Sequence, residues 1–436
     1  MLYIHAHSFH HPSRFRAYTR FRSGFGSTTL LLFLFFSLTC MSQSKDYVFR
    51  ERVMLLSTRR DIVRKTAIRT DLNHSLIFMV RQNNLDEMER ALHDVSDVAS
   101  PNYGKHWSGE QVVALTANPL ASDAIATYLG AHGATIESET LGREYITATA
   151  PLSVWNAMLN TKFRVFHQKQ RNGMLEQLVR ANEYSVPTEL DAYVHHVLNV
   201  IEVPIKSLTP TIVRKSDAVL NGWVLPANIR EFYNMHDVYG SDRSTQAIGA
   251  FNEDYYSPKS LAAFQKLTNQ PDQPAILMGG FASENKDYDY AESNLDVQFI
   301  MGVSPRSPTT YWHSPGGIFT WLIDVTNTVN PPLVLSVSYG ADESTTSKTT
   351  HDSVSILAMK LGLRGVTIFA ASGDDGASSF SANANANACG YDVVFPAANP
   401  YFTAVGATSV RLSFFCVCLF FYLFPLFFSL LCVSFS

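Results

Sequence analysis

The sequence predicts an α+β unit followed by an α/β unit that is built on a doubly wound parallel sheet. The chain has 436 residues, more than one ordinary domain contains. Near-continuous apolar runs at 333–338 and 366–370 are typical of parallel strands covered on both faces. Between about residues 70 and 200, strand-like runs alternate with helical ones, which favours a short antiparallel sheet with helices on one face.

Composition and charge exclude several classes of protein. Hydrophobic residues make up 46% of the chain and charged residues 17%, which excludes a mostly disordered or collagen-like protein. The net charge of −4 leaves no basic excess for nucleic acid, so we expect no nucleic-acid partner. The five cysteines form no CxxC pair, and residues 41–388 contain none, so neither a disulfide framework nor a transition-metal site is predicted.

The N-terminal region at 1–44 has the features of a secretory signal. Arginines at 14, 16, 20 and 22 precede an apolar run from Leu30 to Cys40, which is too short to span a membrane. The alternative is a mis-assigned start followed by an incidental apolar run. Asn73 begins an Asn-His-Ser glycosylation pattern, which is usable if the chain enters the secretory pathway. We therefore predict an extracellular, lysosomal or vacuolar location.

The C-terminal tail at 411–436 is apolar. By length and hydropathy it is a candidate membrane span. It follows a strand-and-turn segment, Val405–Ser409, without any linker, and a domain that ended there would leave a sheet edge unpaired. We expect the tail to be translated non-coding sequence, for instance a retained intron, and we expect no membrane partner.

The elements of the first unit follow one another closely. One helix, at 84–98, carries Leu85, Met88, Leu92 and Val95 at helical spacing. The other elements predicted here are strands at 75–81, 145–150 and 163–167 and helices at 108–117, 121–132 and from Pro151. Residues 204–226 are irregular and polar, so we expect an exposed linker with a processing site at 204–224.

The second unit, at 225–410, has the alternation of an α/β fold. Its predicted strands lie at 246–251, 274–278, 333–338 and 366–370, with helices at 257–267, 292–301, 319–325 and 353–361. In such a sheet, ligands bind beyond the carboxyl ends of the strands. The candidate functional residues should therefore follow strands or begin helices.

Two acidic residues lie one helical turn apart in the helix predicted at 292–301. Glu292 and Asp296 share one face of this helix, while Leu295 and Phe299 point elsewhere. A solvated acidic face is the simplest interpretation of this spacing. The segment is poor in other charges, however, so we expect the pair to be partly buried. Buried carboxylates close together can share a proton, which makes a base–acid pair that works below neutral pH.

A second candidate feature follows the last predicted strand. Asp374 lies between glycines in the segment Ser372–Gly376, and such a tight turn lets a ligand approach closely. An ordinary turn in which an aspartate caps the next helix fits these residues equally well. We expect Ser336–Gly340, with Asp342 and Glu343, to border the same cleft, because this segment also follows a strand.

With three further segments, these features resemble the sedolisin family of serine-carboxyl peptidases. The segments are LPANIREFYN at 225–234, VLSVSYG at 334–340 and FPAANPY at 395–401, and upstream Asp97–Gly104 resembles the family's activation propeptide. The resemblance runs in order from about residue 70 to 409. It implies a subtilisin-like doubly wound parallel sheet, truncated here, preceded by a ferredoxin-like α+β propeptide. Residues 45–203 would be the propeptide, and 225–410 the N-terminal part of the peptidase domain.

The resemblance also implies a role for each candidate acid. Glu292 would be the general base for a nucleophilic serine, and Asp296 would hold and tune Glu292. Asp374 would lie in the oxyanion hole and, when protonated, donate a hydrogen bond to the developing oxyanion. A carboxylate base stays ionised where imidazole is protonated, so the expected enzyme works in acid. Its substrates would be peptides or proteins that lose tripeptides from their N-termini, and its own propeptide would inhibit it.

The nucleophile is where this sequence departs from the family. The family's serine lies in a Ser-Gly-Thr-Ser motif, which does not occur in these 436 residues. Ser409 and Ser372 are not expected to replace it, since they belong to a strand–turn segment and to the turn around Asp374. The calcium site expected for an intact family member is likewise absent from the sequence. We therefore expect the chain as given to be inactive.

A second class of function stays open. The chain could be a non-catalytic product whose propeptide-like half binds, inhibits or chaperones an intact peptidase, with the apolar tail as a membrane attachment. Turnover of a tripeptide substrate with a free N-terminus discriminates the two classes, because a binding protein would show none.

Overall fold

The computed structural model describes eight stretches of the chain. They are residues 46–52, 62–169, 175–204, 206–207, 224–251, 254–280, 291–376 and 391–407. The predicted signal region, the apolar tail and most of the predicted linker lie outside the described residues. Within the described stretches, no helix is long and apolar enough to cross a membrane.

The N-terminal part of the chain, residues 46–204, is built on a four-stranded antiparallel sheet. Its strands are β1 (Tyr47–Arg52), β2 (Ile62–Thr66), β3 (Asn73–Val80), β4 (Thr135–Glu139), β5 (Tyr145–Pro151), β6 (Arg164–Lys169), β7 (Leu175–Arg180), β8 (Glu183–Pro187) and β9 (Val194–Leu198). Its helices are α1 (Leu85–Ser96), α2 (Gly109–Thr116), α3 (Pro119–Ala131) and α4 (Leu152–Met158). The main sheet has the order β4-β5-β3-β9, whereas β2, β6 and β7 form a second sheet and β1 pairs with β8. This strand order is ferredoxin-like, so the α+β prediction is confirmed.

Strand β3 shows why this sheet needs apolar residues on both faces. Leu76 and Phe78 pack into a core made by the N-terminal part alone. The alternate residues Ile77 and Met79 point to the opposite face and join a core shared with the C-terminal part of the chain. Residues 76–80 of the strand predicted at 75–81 are all apolar, because each face of β3 is buried against a different partner.

The C-terminal part, residues 224–407, forms the α/β unit. Its helices are α5 (Pro226–Phe232), α6 (Pro258–Leu267), α7 (Ala291–Val303), α8 (Gly317–Asn327) and α9 (Lys348–Leu363). Its strands are β11 (Gln246–Phe251), β12 (Ile276–Met278), β13 (Thr309–Ser314), β14 (Val334–Val337), β15 (Tyr339–Asp342), β16 (Thr367–Ala371), β17 (Val394–Phe395) and β18 (Thr403–Val405), preceded by β10 (Lys206–Ser207). A six-stranded sheet has the order β12-β13-β11-β14-β16-β18, and all its pairings are parallel.

Both faces of this parallel sheet are covered. Ile248 on β11 packs with Val297 of α7 on one face. On the other face, Trp321 of α8 lies so close to β11 that a Cβ on Gly249 would sit 3.0 Å from its ring. After β11, the chain forms β12 and β13 on one side of that strand and then β14, β16 and β18 on the other side. The sheet is therefore doubly wound, as predicted. Its topological switch point, where ligands bind in such folds, lies at the carboxyl ends of β11 and β14.

Two of the elements that were not predicted lie close to the candidate site. Strand β13 lies between β11 and β12, and all six of its residues are buried, although its sequence TTYWHS is largely polar. Within the predicted linker, Lys206 and Ser207 pair antiparallel with Gly340 and Tyr339 of β15. The start of the linker is therefore a strand.

Candidate active site

The acidic pair predicted from the sequence lies at the start of helix α7. Glu292 is in the first turn, where the helix dipole favours negative charge, and is only 4% exposed. Asp296 follows one turn later; the residue is half-buried, but its Oδ2 is shielded from solvent. A hydrogen bond joins the two carboxyl groups. The structure thus brings these two acids together and does not place them on a solvated face.

Asp296 is held at the carboxyl end of strand β14. The Ser338 hydroxyl, between β14 and β15, donates a hydrogen bond of 2.8 Å to Asp296 Oδ1. Burial raises the pKa of Asp296 well above its usual value, and the negative charges of Glu292 and Asp254 raise it further, whereas the Ser338 bond opposes the rise. The surroundings therefore favour a proton on Asp296.

Asp254 is a third acid at this site, and the sequence analysis did not select it. It lies just beyond β11 and is only 6% exposed. Its Oδ2 accepts a hydrogen bond of 2.7 Å from the Tyr339 hydroxyl, and its carbonyl oxygen accepts one of 2.6 Å from the Tyr311 hydroxyl. The segment Asn252-Glu253-Asp254 directly follows a predicted parallel strand, and this position was the signal that could have identified it.

The two tyrosines stay protonated at any pH at which the protein would work. Burial raises the pKa of Tyr339 well above its usual value, and the charge of Asp254 adds to this effect. Burial likewise raises the pKa of Tyr311, which also shares a hydrogen bond of 3.1 Å with the Ser293 hydroxyl. Both phenols therefore remain hydrogen-bond donors to Asp254.

Asp374 lies on the turn after β16, at the same edge of the sheet as Ser338. Strand β16 pairs directly with β14, and the turn needs glycine at Gly373, where φ is +94°. Asp374 is exposed, in contrast to the buried cluster on α7 and after β11. Its oxyanion role stays a prediction, as do the roles assigned to Glu292 and Asp296.

The remaining predicted residues are placed as follows. Asn73, the predicted glycosylation site, is exposed at the start of β3. Ser372 is exposed in the turn that carries Asp374, and Ser409 lies outside the described residues. Among the residues that the structure describes, no group of three or more His, Cys, Asp or Glu side chains could hold a metal ion. The calcium requirement of an intact family member stays a prediction.

Asp296 should make the stability of the protein depend on pH. Its pKa is raised in the folded state, so its contribution is full below about pH 3.9, the unfolded value, and is lost as the pH rises through the folded value. As the pH rises, the wild type should lose about 1.4 kcal/mol of its free energy of unfolding for each unit by which the folded pKa of Asp296 exceeds the unfolded one. The variant Asp296→Asn should not show this loss. Urea unfolding at pH 4 to 7 measures this effect. The variant Asp272→Asn, at an exposed loop position, should behave like the wild type; equal pH dependence in all three proteins would contradict the prediction.

Comparison with known proteins identifies relatives of both parts of the chain. Residues 60–203 match the family model described as the Pro-kumamolisin activation domain. The chain is similar to physarolisin of Physarum polycephalum, with 30% identity over 349 residues that cover 76% of this chain and 59% of that protein. It is also similar to tripeptidyl-peptidase 1 of Homo sapiens, with 30% identity over 359 residues that cover 78% of this chain and 62% of that protein.

This chain thus spans 59% and 62% of the length of these two relatives. Among solved structures, Pseudomonas sedolisin, a serine-carboxyl proteinase complexed with pseudo-iodotyrostatin, aligns with 18% identity and a TM-score of 0.36 over 43% of this chain and 54% of that one. That score is too low to bear on the fold. The activation-domain match at residues 60–203 and the similarity to these two relatives support the resemblance to the sedolisin family that was found in the sequence.

Proposed function

We propose that this protein derives from an acid-active serine-type peptidase that releases tripeptides from the N-termini of peptides and proteins. The observation that carries the proposal is the buried Glu292–Asp296 pair, held by Ser338 at the carboxyl edge of a parallel sheet. The family supports peptide hydrolysis in general. Tripeptide release is supported by the name of one relative, tripeptidyl-peptidase 1.

In the proposed reaction, proton transfer depends on Glu292. Its carboxylate accepts the hydroxyl proton of a nucleophilic serine while that oxygen attacks the scissile carbonyl carbon. Glu292 then gives the proton to the leaving amine nitrogen as the C–N bond breaks, and water releases the acyl group by the same sequence. Asp296 keeps its own proton and orients Glu292. Asp374, protonated from solvent at acid pH, donates a hydrogen bond to the oxyanion.

We propose that none of the serines in this chain acts as the nucleophile. We expect the 436-residue chain to release no tripeptide from a reporter peptide with a free N-terminus at pH 4, because no Ser-Gly-Thr-Ser motif is present. The control is the same assay on Glu292→Gln. Turnover by the wild-type chain that Glu292→Gln abolishes would contradict this expectation and would assign the nucleophile to a serine already present.

The positive test uses the transcript. If it continues in frame beyond Val410 to a Ser-Gly-Thr-Ser segment, the extended protein should cleave the same reporter in acid, and Glu292→Gln should lower kcat by about 10²–10⁴-fold. An extended protein that folds and contains the motif but stays inactive toward peptides would contradict the peptidase proposal.

The propeptide would act as an intramolecular inhibitor. Strand β10, at the start of the predicted linker that follows the propeptide, pairs with Tyr339 and Gly340 at the start of β15. Ser338 immediately precedes this pairing and holds Asp296. The chain therefore runs along the edge of the proposed cleft, where an extended substrate would otherwise bind, and processing at 204–224 would release it.

We also propose a route through the secretory pathway to an extracellular, lysosomal or vacuolar compartment. The arginine-rich and apolar segments before residue 44 support it, as does the exposed position of Asn73 in its glycosylation pattern. An acid compartment agrees with a carboxylate base.

A further inference from the structure

A third carboxylate, that of Asp254, is buried near the Glu292–Asp296 pair, and its negative charge acts on Asp296. Two consecutive residues hold the acids of this cluster: Ser338 donates a 2.8 Å hydrogen bond to Asp296, and Tyr339 donates one of 2.7 Å to Asp254. A second anchor, the Tyr311 hydroxyl, binds the backbone carbonyl of Asp254 at 2.6 Å. The position of Asp254 is thus fixed by both its side chain and its backbone.

We propose that Asp254 is a positioning residue of this site: its carboxylate, anchored by Tyr339 beside Asp296, directs the shared proton of the acidic pair onto Asp296 and leaves Glu292 ionised. This inference rests on the proposed role of Glu292 as the base. It adds the reason why Glu292, and not Asp296, would be the ionised member of the pair.

The physical reason is the repulsion between like charges in a poorly solvated cluster. An ionised Asp296 would be repelled by the nearby charge of Asp254, whereas a charge on Glu292 lies in the first turn of α7, where the helix dipole stabilises it. The tyrosine hydroxyl bound to Asp254 stabilises the charged form of that acid. The negative charge that biases the pair is therefore held in place by Tyr339.

Other polar side chains also lie around these three acids. They are Tyr311 on β13 and Tyr339 on β15, while His313 on β13 packs against Tyr255 with ring centroids 4.8 Å apart. The two phenols act only as donors. The proton equilibrium of the cluster is thus set mainly by the three carboxyl groups.

The test is a pH titration of the full chain with aspartate labelled by ¹³C at its side-chain carboxyl, followed by NMR. The Asp296 signal is assigned by its loss in Asp296→Asn. Asp254→Asn should lower the pH midpoint of the Asp296 signal, because one nearby negative charge is removed. Ser338→Ala is the matched control and should shift the midpoint in the opposite direction. It removes the hydrogen bond that stabilises the charged form of Asp296, so it should raise the midpoint of the Asp296 signal.

An unchanged or higher midpoint in folded Asp254→Asn would overturn the proposal. If that variant does not fold, the wild-type titration decides: the Asp254 and Asp296 signals must share two inflections, as coupled groups do, and two independent one-step curves would overturn the proposal. The measurement needs no turnover, so it can fail or succeed separately from the peptidase assay.

Discussion

Replacing Lys360 by methionine should destabilise the full chain by about 3–5 kcal/mol, because it leaves a buried carboxylate without its counter-charge. Lys360 on α9 lies 2.5 Å from Glu144 Oε1, just before β5, so this ion pair joins the C-terminal part of the chain to the N-terminal part. The two side chains are only 1% and 4% exposed. Burial lowers the pKa of Lys360, while Glu144 opposes this shift by favouring the charged form.

The remaining partner explains why the loss should be large. In Lys360→Met, Glu144 would keep the hydrogen bond of 2.6 Å from the Thr116 hydroxyl, which does not neutralise a carboxylate. Urea unfolding of the full chain at pH 7 measures the loss. The double variant Lys360→Met with Glu144→Gln removes both charges and should recover most of the stability. A double variant as unstable as the single one would show that lost packing, and not the unpaired charge, causes the effect.

The parallel strands that are apolar throughout could be predicted from the sequence. Strand β11 has the predicted bounds, 246–251, the run at 333–338 contains β14, and the run at 366–370 contains all of β16 except Ala371. A strand buried on both faces has no polar side, and this leaves a signal in the local sequence.

Strand β13 is buried as completely but leaves no such signal. Its Thr309 hydroxyl accepts a hydrogen bond of 2.9 Å from Gln246, and its Tyr311 hydroxyl binds the Asp254 carbonyl. Partners distant in the sequence satisfy these polar groups, so their burial costs little. A reading of apolar runs cannot detect such a strand.

The candidate site divides in the same way. Glu292 and Asp296 could be found because their spacing of one helical turn is visible in the chain. Asp254 comes near these two residues only because β11, β13 and β14 are neighbours in the parallel sheet. Tyr339, which donates a hydrogen bond to Asp254, lies 85 residues from it in the sequence. The rule that ligands bind at the carboxyl ends of strands, applied after every predicted strand, would have selected Asp254.

Phe78→Ala and Met79→Ala should both destabilise the chain, by about 3–5 and 2–5 kcal/mol, but in different places. Phe78 is fully buried in the core of the propeptide, with its ring centroid 5.9 Å from that of Trp155. Met79 is equally buried in the core that the propeptide shares with the peptidase part. These two adjacent residues of β3 therefore test two different hydrophobic cores.

Hydrogen exchange separates the two effects. Phe78→Ala should reduce protection first in α3 and α4, whose apolar residues complete the propeptide core. Met79→Ala should instead expose α1 and α9, because Met88 of α1 and Leu357 of α9 belong to the shared core. The same exchange pattern in both variants would contradict a sheet with two separate cores. Distinct patterns would mean that the N-terminal part keeps its own fold when its contact with the C-terminal part weakens, as the proposed release of the propeptide requires.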